Sequence, residues 1–154
     1  MWQAIWTTLM QEFSDLPSAQ EITRVSLRLV LAAALGGALG FERERSGKSA
    51  GVRTHMLVAL GSALFLLVPQ QAGVPNADLT RVMQGLVTGI GFLGAGTILK
   101  GNTDGEVKGL TTAAGIWLTA AIGIAVGMGR EATAILSTAL ALVILALVPR
   151  SQDT

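Results

Sequence analysis

Five apolar stretches divide the chain, and almost all of its charged residues lie between them. Each stretch is 17 or 18 residues long, close to the lower limit of the roughly 17–25 residues that a helix needs to cross a bilayer. The stretches are Val25–Phe41, Thr54–Gln70, Val82–Leu99, Leu110–Gly127 and Ala132–Pro149. This pattern predicts an all-α integral membrane bundle of about five transmembrane helices.

The segment before the first stretch has a helical pattern of its own. Its large apolar residues recur every three or four positions: Trp2, Ile5, Trp6, Leu9, Met10 and Phe13. Such spacing predicts an amphipathic helix lying in the interface of the membrane. A sixth span is disfavoured by Gln3, Gln11 and Glu12, whereas a partner-binding helix stays open. We expect residues 1–24 to form an interfacial segment and residues 25–150 a transmembrane domain.

Composition supports a membrane protein over a soluble one. Hydrophobic residues make up 51% of the chain and charged residues 14%, against about 25% charged in soluble domains. The net charge of +1 gives no basic excess for nucleic acid. The absence of cysteine excludes disulfides, thiolate metal sites and cysteine nucleophiles.

The distribution of basic residues predicts how the chain is oriented. Seven of them fall on one side of the predicted spans: Arg43, Arg45, Lys48, Arg53, Lys100, Lys108 and Arg150. Three or four fall on the other side: Arg24, Arg81, Arg130 and Arg28, which lies about one turn into the first span. The positive-inside rule then places the N-terminus outside and the C-terminus in the cytoplasm. We expect Arg28 to pair with Glu21 or to extend towards the interface.

The first predicted cytoplasmic loop is the densest charged segment. Its candidate functional residues are Glu42, Arg43, Lys48, Arg53, Thr54 and His55. Charges at a membrane boundary are costly unless paired, so we expect Glu42 to pair with Arg53 or Lys48. His55 is the only histidine and cannot form a nitrogen and sulfur metal site alone. We predict no bound metal or cofactor, although carboxylate and water ligation of Mg²⁺ stays open.

The third span is unusually rich in glycine. It contains Gly85, Gly89, Gly91, Gly94 and Gly96. Because glycine disfavours a helix by about 1 kcal/mol relative to alanine, five of them need an explanation. The favoured explanation is close helix packing, since Gly85 and Gly89 form a GxxxG pair, like Gly36 with Gly40 and Gly123 with Gly127. The alternative is a broken span whose freed carbonyls line a cavity.

The start of the fourth span offers a capping residue rather than a catalytic one. We expect Thr111 or Thr112 to cap this helix, and anion attraction by its N-terminus is the weaker alternative. The serines have no evident histidine base, and the glycine pattern GIGFLGAG lies inside an apolar span, so it does not predict a phosphate loop. The sequence therefore predicts a protein that is not an enzyme.

Four segments resemble the MgtC/SapB family of bacterial inner-membrane proteins. They are GFERE at Gly40–Glu44, KSAGVRTHMLVALG at Lys48–Gly61, QGLVTGIGFLGAGTIL at Gln84–Leu99 and VKGLTTAAGIWLTAAIG at Val107–Gly123. They occur in the order typical of the family. The resemblance implies a multi-span helical protein of the bacterial inner membrane.

Several members of that family support growth when Mg²⁺ is limiting, and some act on membrane partners such as the ATP synthase. Well-studied members carry a soluble domain after the last span, so we expect this chain to be a short, membrane-only form. We expect a non-enzymatic protein that regulates or binds a membrane partner, and a homodimer is the favoured oligomer. The alternative is a small-ion transporter or channel that uses the glycine-rich third span.

Overall fold

The described residues form six α-helices and one short antiparallel strand pair. The computed structural model describes residues 1–15, 18–100 and 107–148, with residues 99 and 100 as backbone only. The elements are α1 Trp2–Glu12, α2 Ala19–Arg45, α3 Val52–Gln71, α4 Asn76–Gly96, β1 Leu99–Lys100, β2 Val107–Lys108, α5 Leu110–Gly127 and α6 Glu131–Leu147. The all-α prediction is confirmed. Predicted positions at Pro149 and Arg150 lie outside the described residues.

Helix α2 is the longest element because its start is capped and its interior is apolar. The Ser18 hydroxyl accepts a hydrogen bond from the Glu21 backbone N–H at 3.1 Å, which satisfies one free amide at the helix start. The helix ends at Arg45, and Gly47 then turns the chain with a φ of 69°. A left-handed glycine after the last turn is a common way to end a helix.

Helix α3 lies between α2 and α5, and glycines bring all three backbones close together. A Cβ added at Gly36 would lie 2.5 Å from the His55 carbonyl oxygen, and one at Gly40 would lie 2.6 Å from the Val52 Cα. From the other side, a Cβ at Gly123 would overlap the Ala59 carbonyl. These contacts confirm packing for two of the three GxxxG pairs, and both act within the chain.

The apolar core contains small residues as well as large ones. Ala32 of α2, Ala59 of α3 and Val126 of α5 are fully buried together with Ala134 of α6. Helix α6 buries one face, where Ala134, Thr138 and Ala141 recur at spacings of four and three residues. Outward-facing leucine and isoleucine side chains remain exposed, as expected where lipid surrounds a bundle.

Helix α4 is at the edge of the bundle and runs without a break. Only Leu79, Ile90 and Gly94 of its 21 residues are buried. It packs mainly on α5 and less on α3. The hypothesis of a broken third span is therefore wrong. The helix also ends at Gly96 rather than Leu99, because Leu99 belongs to β1 and pairs with Lys108 of β2.

Gly109 joins the strand pair to α5. Its φ is 92°, and a Cβ there would overlap the carbonyl of Thr97 just after α4. Only glycine fits this position, for both conformational and steric reasons. Gly109 is also the N-cap of α5, which has no side-chain capping bond. The prediction that Thr111 or Thr112 caps this helix is therefore wrong.

Three described helices are long and apolar enough to cross a membrane, namely α2, α3 and α5. Helix α6 is apolar but has 17 residues, and α4 is not among the candidates because its mean hydropathy is lowered by Arg81, Gln84 and the glycines. The protein is thus a helical membrane protein, while the count of five spans stays a prediction.

Helix α1 forms as predicted, but none of its residues is buried. Trp2, Trp6 and Phe13 are exposed with the rest of its apolar face. The placement of this helix at a membrane surface remains a prediction.

Candidate binding site at one end of the bundle

The end of α2 and the starts of α3 and α5 meet at one end of the bundle, around a cavity of about 200 Å³. Its polar lining comes from one residue on each of these helices, Arg43, His55 and Thr111. The apolar lining includes Ile144 and Leu145 of α6. We call this the Arg43–His55 cavity. Two of the candidate loop residues and one of the two threonines at the start of α5 therefore face a common space.

Arg43 is the buried cation of this end, with only 3% of its surface exposed. Its Nη1 lies 3.3 Å from Oε2 of Glu42, whose other oxygen accepts a hydrogen bond from the Ser46 hydroxyl at 2.7 Å. Within the described part of the chain, Nε and Nη2 of Arg43 have no hydrogen-bond partner. Buried polar groups are nearly always paired, so this edge of the guanidinium requires an acceptor.

His55 is fully buried beside Arg43. Its Nδ1 lies 3.0 Å from the Gly51 carbonyl oxygen. Because a carbonyl can only accept, Nδ1 carries the proton, and Nε2 of the neutral ring is left as an acceptor. This Nε2 has no partner among the described residues. A Cβ added at Gly115 of α5 would lie 3.5 Å from it, so α5 passes close to the ring.

Glu44 anchors the start of α3, a role that the sequence did not reveal. Its Oε2 accepts a hydrogen bond from the Val52 backbone N–H at 3.0 Å. Gly51, the N-cap, lies beneath this carboxylate, where a Cβ would lie 2.5 Å from Oε2. A carboxylate at a helix N-terminus is favourable both as an acceptor and as a negative charge. The eight-residue separation hides this cap from local patterns.

The remaining predicted loop residues lie away from the cavity. The expected pairing of Glu42 with Arg53 or Lys48 is wrong, because Arg43 and Ser46 bind its carboxylate. Arg53 is exposed, whereas the Lys48 backbone N–H donates to the Arg43 carbonyl at 3.0 Å.

Two threonines named from the sequence lie outside the Arg43–His55 cavity. Thr54 lines a separate cavity of about 230 Å³ with Ser49 and Thr97. Thr112 is buried in α5, whereas the adjacent Thr111 is exposed and reaches the Arg43–His55 cavity.

The opposite end of the bundle contains a second arginine, Arg28, whose Nε and Nη1 both have partners. Nε of Arg28 lies 3.2 Å from Oε1 of Glu131, and Nη1 donates to the Gly127 carbonyl at 3.1 Å. Gln70 lies 3.5 Å from the same Nη1. The expected pairing with Glu21 is therefore wrong. Arg28 instead joins α2 to the ends of α3 and α5 and the start of α6, residues too distant in sequence to be paired by spacing.

The exposed side of α3 and α4 forms an apolar groove of about 620 Å³. Its glycines are Gly61 of α3 and Gly85 and Gly89 of α4, and a Cβ added at any of them would meet nothing within 4 Å. We call this the α3–α4 groove. Gly91 and Gly96 also face open space, whereas Gly94 contacts Ala113 of α5. The packing prediction for the third span therefore holds within the chain only for Gly94.

A metal centre has no support in the described ranges. No group of three or more histidine, cysteine, aspartate or glutamate residues there could hold a metal ion. Glu42 and Glu44, the acids near the Arg43–His55 cavity, are already bound to Arg43, Ser46 and the start of α3.

A family model and individual relatives were compared with the chain, and their results agree. Residues 29–154 match the model of the MgtC family. The chain is 44% identical over 126 residues to YhiD of Escherichia coli, whose name describes it as a candidate magnesium transporter, with 77% of this chain and 58% of YhiD covered. It is 47% identical over 116 residues to SrpB of Synechococcus elongatus, covering 68% and 64%. Identity to MgtC of Brucella abortus is 43% over 104 residues, covering 68% and 42%.

The chain thus spans about three fifths of the length of YhiD and SrpB. No solved structure matches it.

Proposed function

This chain belongs to the MgtC family, and from that premise we propose that it is a non-enzymatic membrane protein whose role is to bind another membrane protein when Mg²⁺ is limiting. The site that we assign to this role is the α3–α4 groove. Its occupant is a transmembrane helix of the partner with small residues on its contacting face. The magnesium link rests on the family and on the name given to YhiD.

The observation that carries the proposal is the open Gly85–Gly89 pair. Gly36 with Gly40 and Gly123 with Gly127 have the same spacing, and each pair brings a neighbouring helix within backbone contact. In contrast, a Cβ added at Gly85 or Gly89 has no atom within 4 Å. Both glycines line the α3–α4 groove together with Gly61. Helices in lipid associate through close van der Waals packing at small residues, so the open pair is suited to an external helix.

The transport alternative has less support. The hydroxyl of Thr88 bonds back to the Gln84 carbonyl at 2.9 Å, and that of Thr97 bonds to Gly94 at 2.7 Å, so neither is directed to an ion. Ser62 is the one hydroxyl residue among those lining the α3–α4 groove. A permeation path normally needs polar groups or free carbonyls at mid-membrane, and continuous α4 frees none there. The name of YhiD is the observation in favour of transport.

Site-specific photocrosslinking in native membranes tests the proposal. The photoreactive phenylalanine analogue benzoylphenylalanine replaces Phe65, which lines the α3–α4 groove, or Phe92, which is exposed on α4 outside it. We expect a discrete protein adduct from position 65 and none from position 92. An adduct with a second copy of the chain would show that the occupant of the groove is another copy of this protein, in a homodimer, and would overturn the external partner. Adducts with lipid alone at both positions would overturn the proposal.

Liposomes that contain only this protein test the alternative. We expect no Mg²⁺ flux above that of empty vesicles. Flux that disappears in Gly89→Leu would overturn the binding role and support transport through the α3–α4 groove.

We also propose that the protein resides in the bacterial inner membrane with its N-terminus outside. The basic residues at the Arg43 end support this orientation. Because the chain has no cysteine, a single cysteine introduced at Lys48 or at Arg24 shows by its labelling on which side of the membrane that position lies. An impermeant maleimide added to whole cells should label position 24 and spare position 48, and the reverse pattern would overturn the orientation.

A further inference from the structure

The Arg43–His55 cavity has no part in the proposed partner binding, and its unpaired atoms specify a ligand of their own. We propose that this cavity binds a phosphate group that carries an acidic proton, as inorganic phosphate or as the headgroup of a phosphomonoester lipid. The proposal rests on the buried atoms of Arg43 and His55 and is independent of the α3–α4 groove.

Arg43 supplies the anion-binding half of the site. Its unpaired nitrogens, Nε and Nη2, form one edge of the guanidinium, while Glu42 binds Nη1. This edge presents two parallel N–H donors, the geometry that binds a carboxylate or phosphate through two oxygens. The side chain is 4% exposed, so bulk water does not readily replace the missing acceptor.

His55 supplies the feature that discriminates between anions. Its Nδ1–H is taken by the Gly51 carbonyl, which leaves Nε2 as an acceptor in a fully buried ring. An acceptor next to a bound oxyanion is repulsive unless the anion itself donates a proton. Carboxylates and sulfate have no such proton at neutral pH. Phosphate and phosphomonoesters can carry one, so they can accept from Arg43 and donate to His55 at once.

The space and the local charge also suit a phosphate group. The cavity of about 200 Å³ is several times the roughly 30 Å³ that a water molecule occupies in the liquid. Residues 42–55 contain four basic and two acidic side chains, so this end of the bundle has a positive excess. Thr111 adds a hydroxyl that can donate or accept, and Ile144 and Leu145 provide an apolar wall compatible with an acyl chain.

Ligand binding by the purified full chain in zwitterionic nanodiscs tests the proposal. Isothermal titration with inorganic phosphate and with sulfate compares two tetrahedral anions that differ in the acidic proton. We expect phosphate to bind at least tenfold more tightly than sulfate. Equal affinities would overturn the role of His55, and heat changes no larger than those of buffer for both anions would overturn the site.

Variants distinguish specific phosphate binding in the cavity from general attraction between the anion and nearby basic residues. Arg43→Lys keeps the charge but loses the two-donor edge, and we expect phosphate affinity to fall at least tenfold. If that variant fails to fold, Gly115→Ala is the second variant, because its methyl group meets His55 Nε2 at an ordinary contact distance of 3.5 Å. We expect it to fold and to bind phosphate several times more weakly. Its matched control is Gly91→Ala on α4, where nothing lies within 4 Å. Unchanged affinity in Gly115→Ala would overturn the proposal.

The source of the phosphate group is identified by changing the lipid. Nanodiscs with phosphatidic acid, a phosphomonoester, are compared with phosphatidylglycerol, a phosphodiester without an acidic proton after ionisation. A higher melting temperature with phosphatidic acid alone, and weaker binding of added phosphate there, would assign the site to a lipid headgroup. Binding of inorganic phosphate with no effect of phosphatidic acid would assign it to the free ion. Stabilisation by both lipids equally would overturn the requirement for a proton.

Discussion

The faces of α3 that pack on α2 and α5 and the face next to α4 show what the same glycine spacing does when it is filled and when it is open. At the packed faces, which we call the filled side, Gly36 of α2 and Gly123 of α5 approach the α3 backbone so closely that a Cβ has no room. At the face next to α4, which we call the open side, Gly89 of α4 lines a groove, and an added Cβ meets nothing within 4 Å. The filled side is built for stability of the monomer. On the open side an added Cβ meets no other atom of the chain within 4 Å, so packing within the monomer does not explain these glycines.

The largest effect is expected at the filled side. In Gly123→Leu, the new side chain would overlap the Ala59 carbonyl and the Ser62 Cβ, and backbone cannot move aside cheaply. We expect a loss of roughly 3 kcal/mol or more in the free energy of unfolding, at the upper end of overpacking effects. Unfolding in mixed micelles followed by circular dichroism measures it. A variant as stable as the wild type would contradict the close packing.

The next effect concerns the polar contacts of Arg28, at the end of the bundle opposite the Arg43–His55 cavity. Arg28→Ala leaves the Gly127 carbonyl and Glu131 without their donor. Hydrogen bonds to charged groups contribute about 1.5–3 kcal/mol, and partial exposure of both side chains, 17% and 36%, puts the expected loss near the lower value. Thermal melting in detergent measures it, with the exposed Arg24→Ala as the control. Equal melting of the two variants would show that the Arg28 contacts add nothing.

A smaller effect is expected at the entry to α3. Glu44→Ala removes the carboxylate that accepts from the Val52 N–H, and loss of a helix cap costs about 1 kcal/mol. Glu44→Gln keeps an acceptor oxygen and should retain most of the stability. The comparison is made by the same unfolding measurement. If alanine and glutamine behave alike, hydrogen bonding by this side chain does not stabilise α3.

The smallest effect on stability is expected on the open side. Gly89→Leu meets no atom within 4 Å of its Cβ, so the free energy of unfolding should not fall. We expect an effect on function instead: the added side chain fills the α3–α4 groove, and the protein adduct from position 65 should disappear. Retention of that adduct, together with unchanged stability, would show that a partner packs elsewhere.

Much of the fold could be predicted because a helix that crosses lipid needs a long and mostly apolar stretch of sequence. Each of the five apolar stretches overlaps one helix, and Leu110–Gly127 coincides with α5. The prediction placed the end of α4 at Leu99, three residues too late, because Leu99 is apolar like the span before it. The close contact between Gly109 and Thr97, which follows the true end of the helix, leaves no local pattern in the sequence.

The site was predicted less well, because its contacts join distant residues. The loop pattern singled out Arg43 and His55, but local spacing could not pair Arg28 with Glu131 or place Glu44 at the start of α3. The composition of the third span also looks the same whether its glycines are covered or open. Whether these glycines are covered depends on which helices pack beside α4 in the folded bundle, and the composition of one span does not determine that.

The unequal lengths of α2 and α6 have a consequence for the surrounding bilayer. With a rise of 1.5 Å per residue, the 27 residues of α2 extend roughly 40 Å and the 17 of α6 roughly 26 Å. The apolar stretch of α2, Val25–Phe41, is only 17 residues long, so the charged ends of this helix extend beyond the hydrocarbon layer. A hydrocarbon layer of about 30 Å is longer than the whole of α6. A bilayer crossed by α6 would therefore have to thin beside this helix, close to Ile144 and Leu145 of the Arg43–His55 cavity. We expect the protein to favour thin membranes, and thickening the bilayer would act first beside α6.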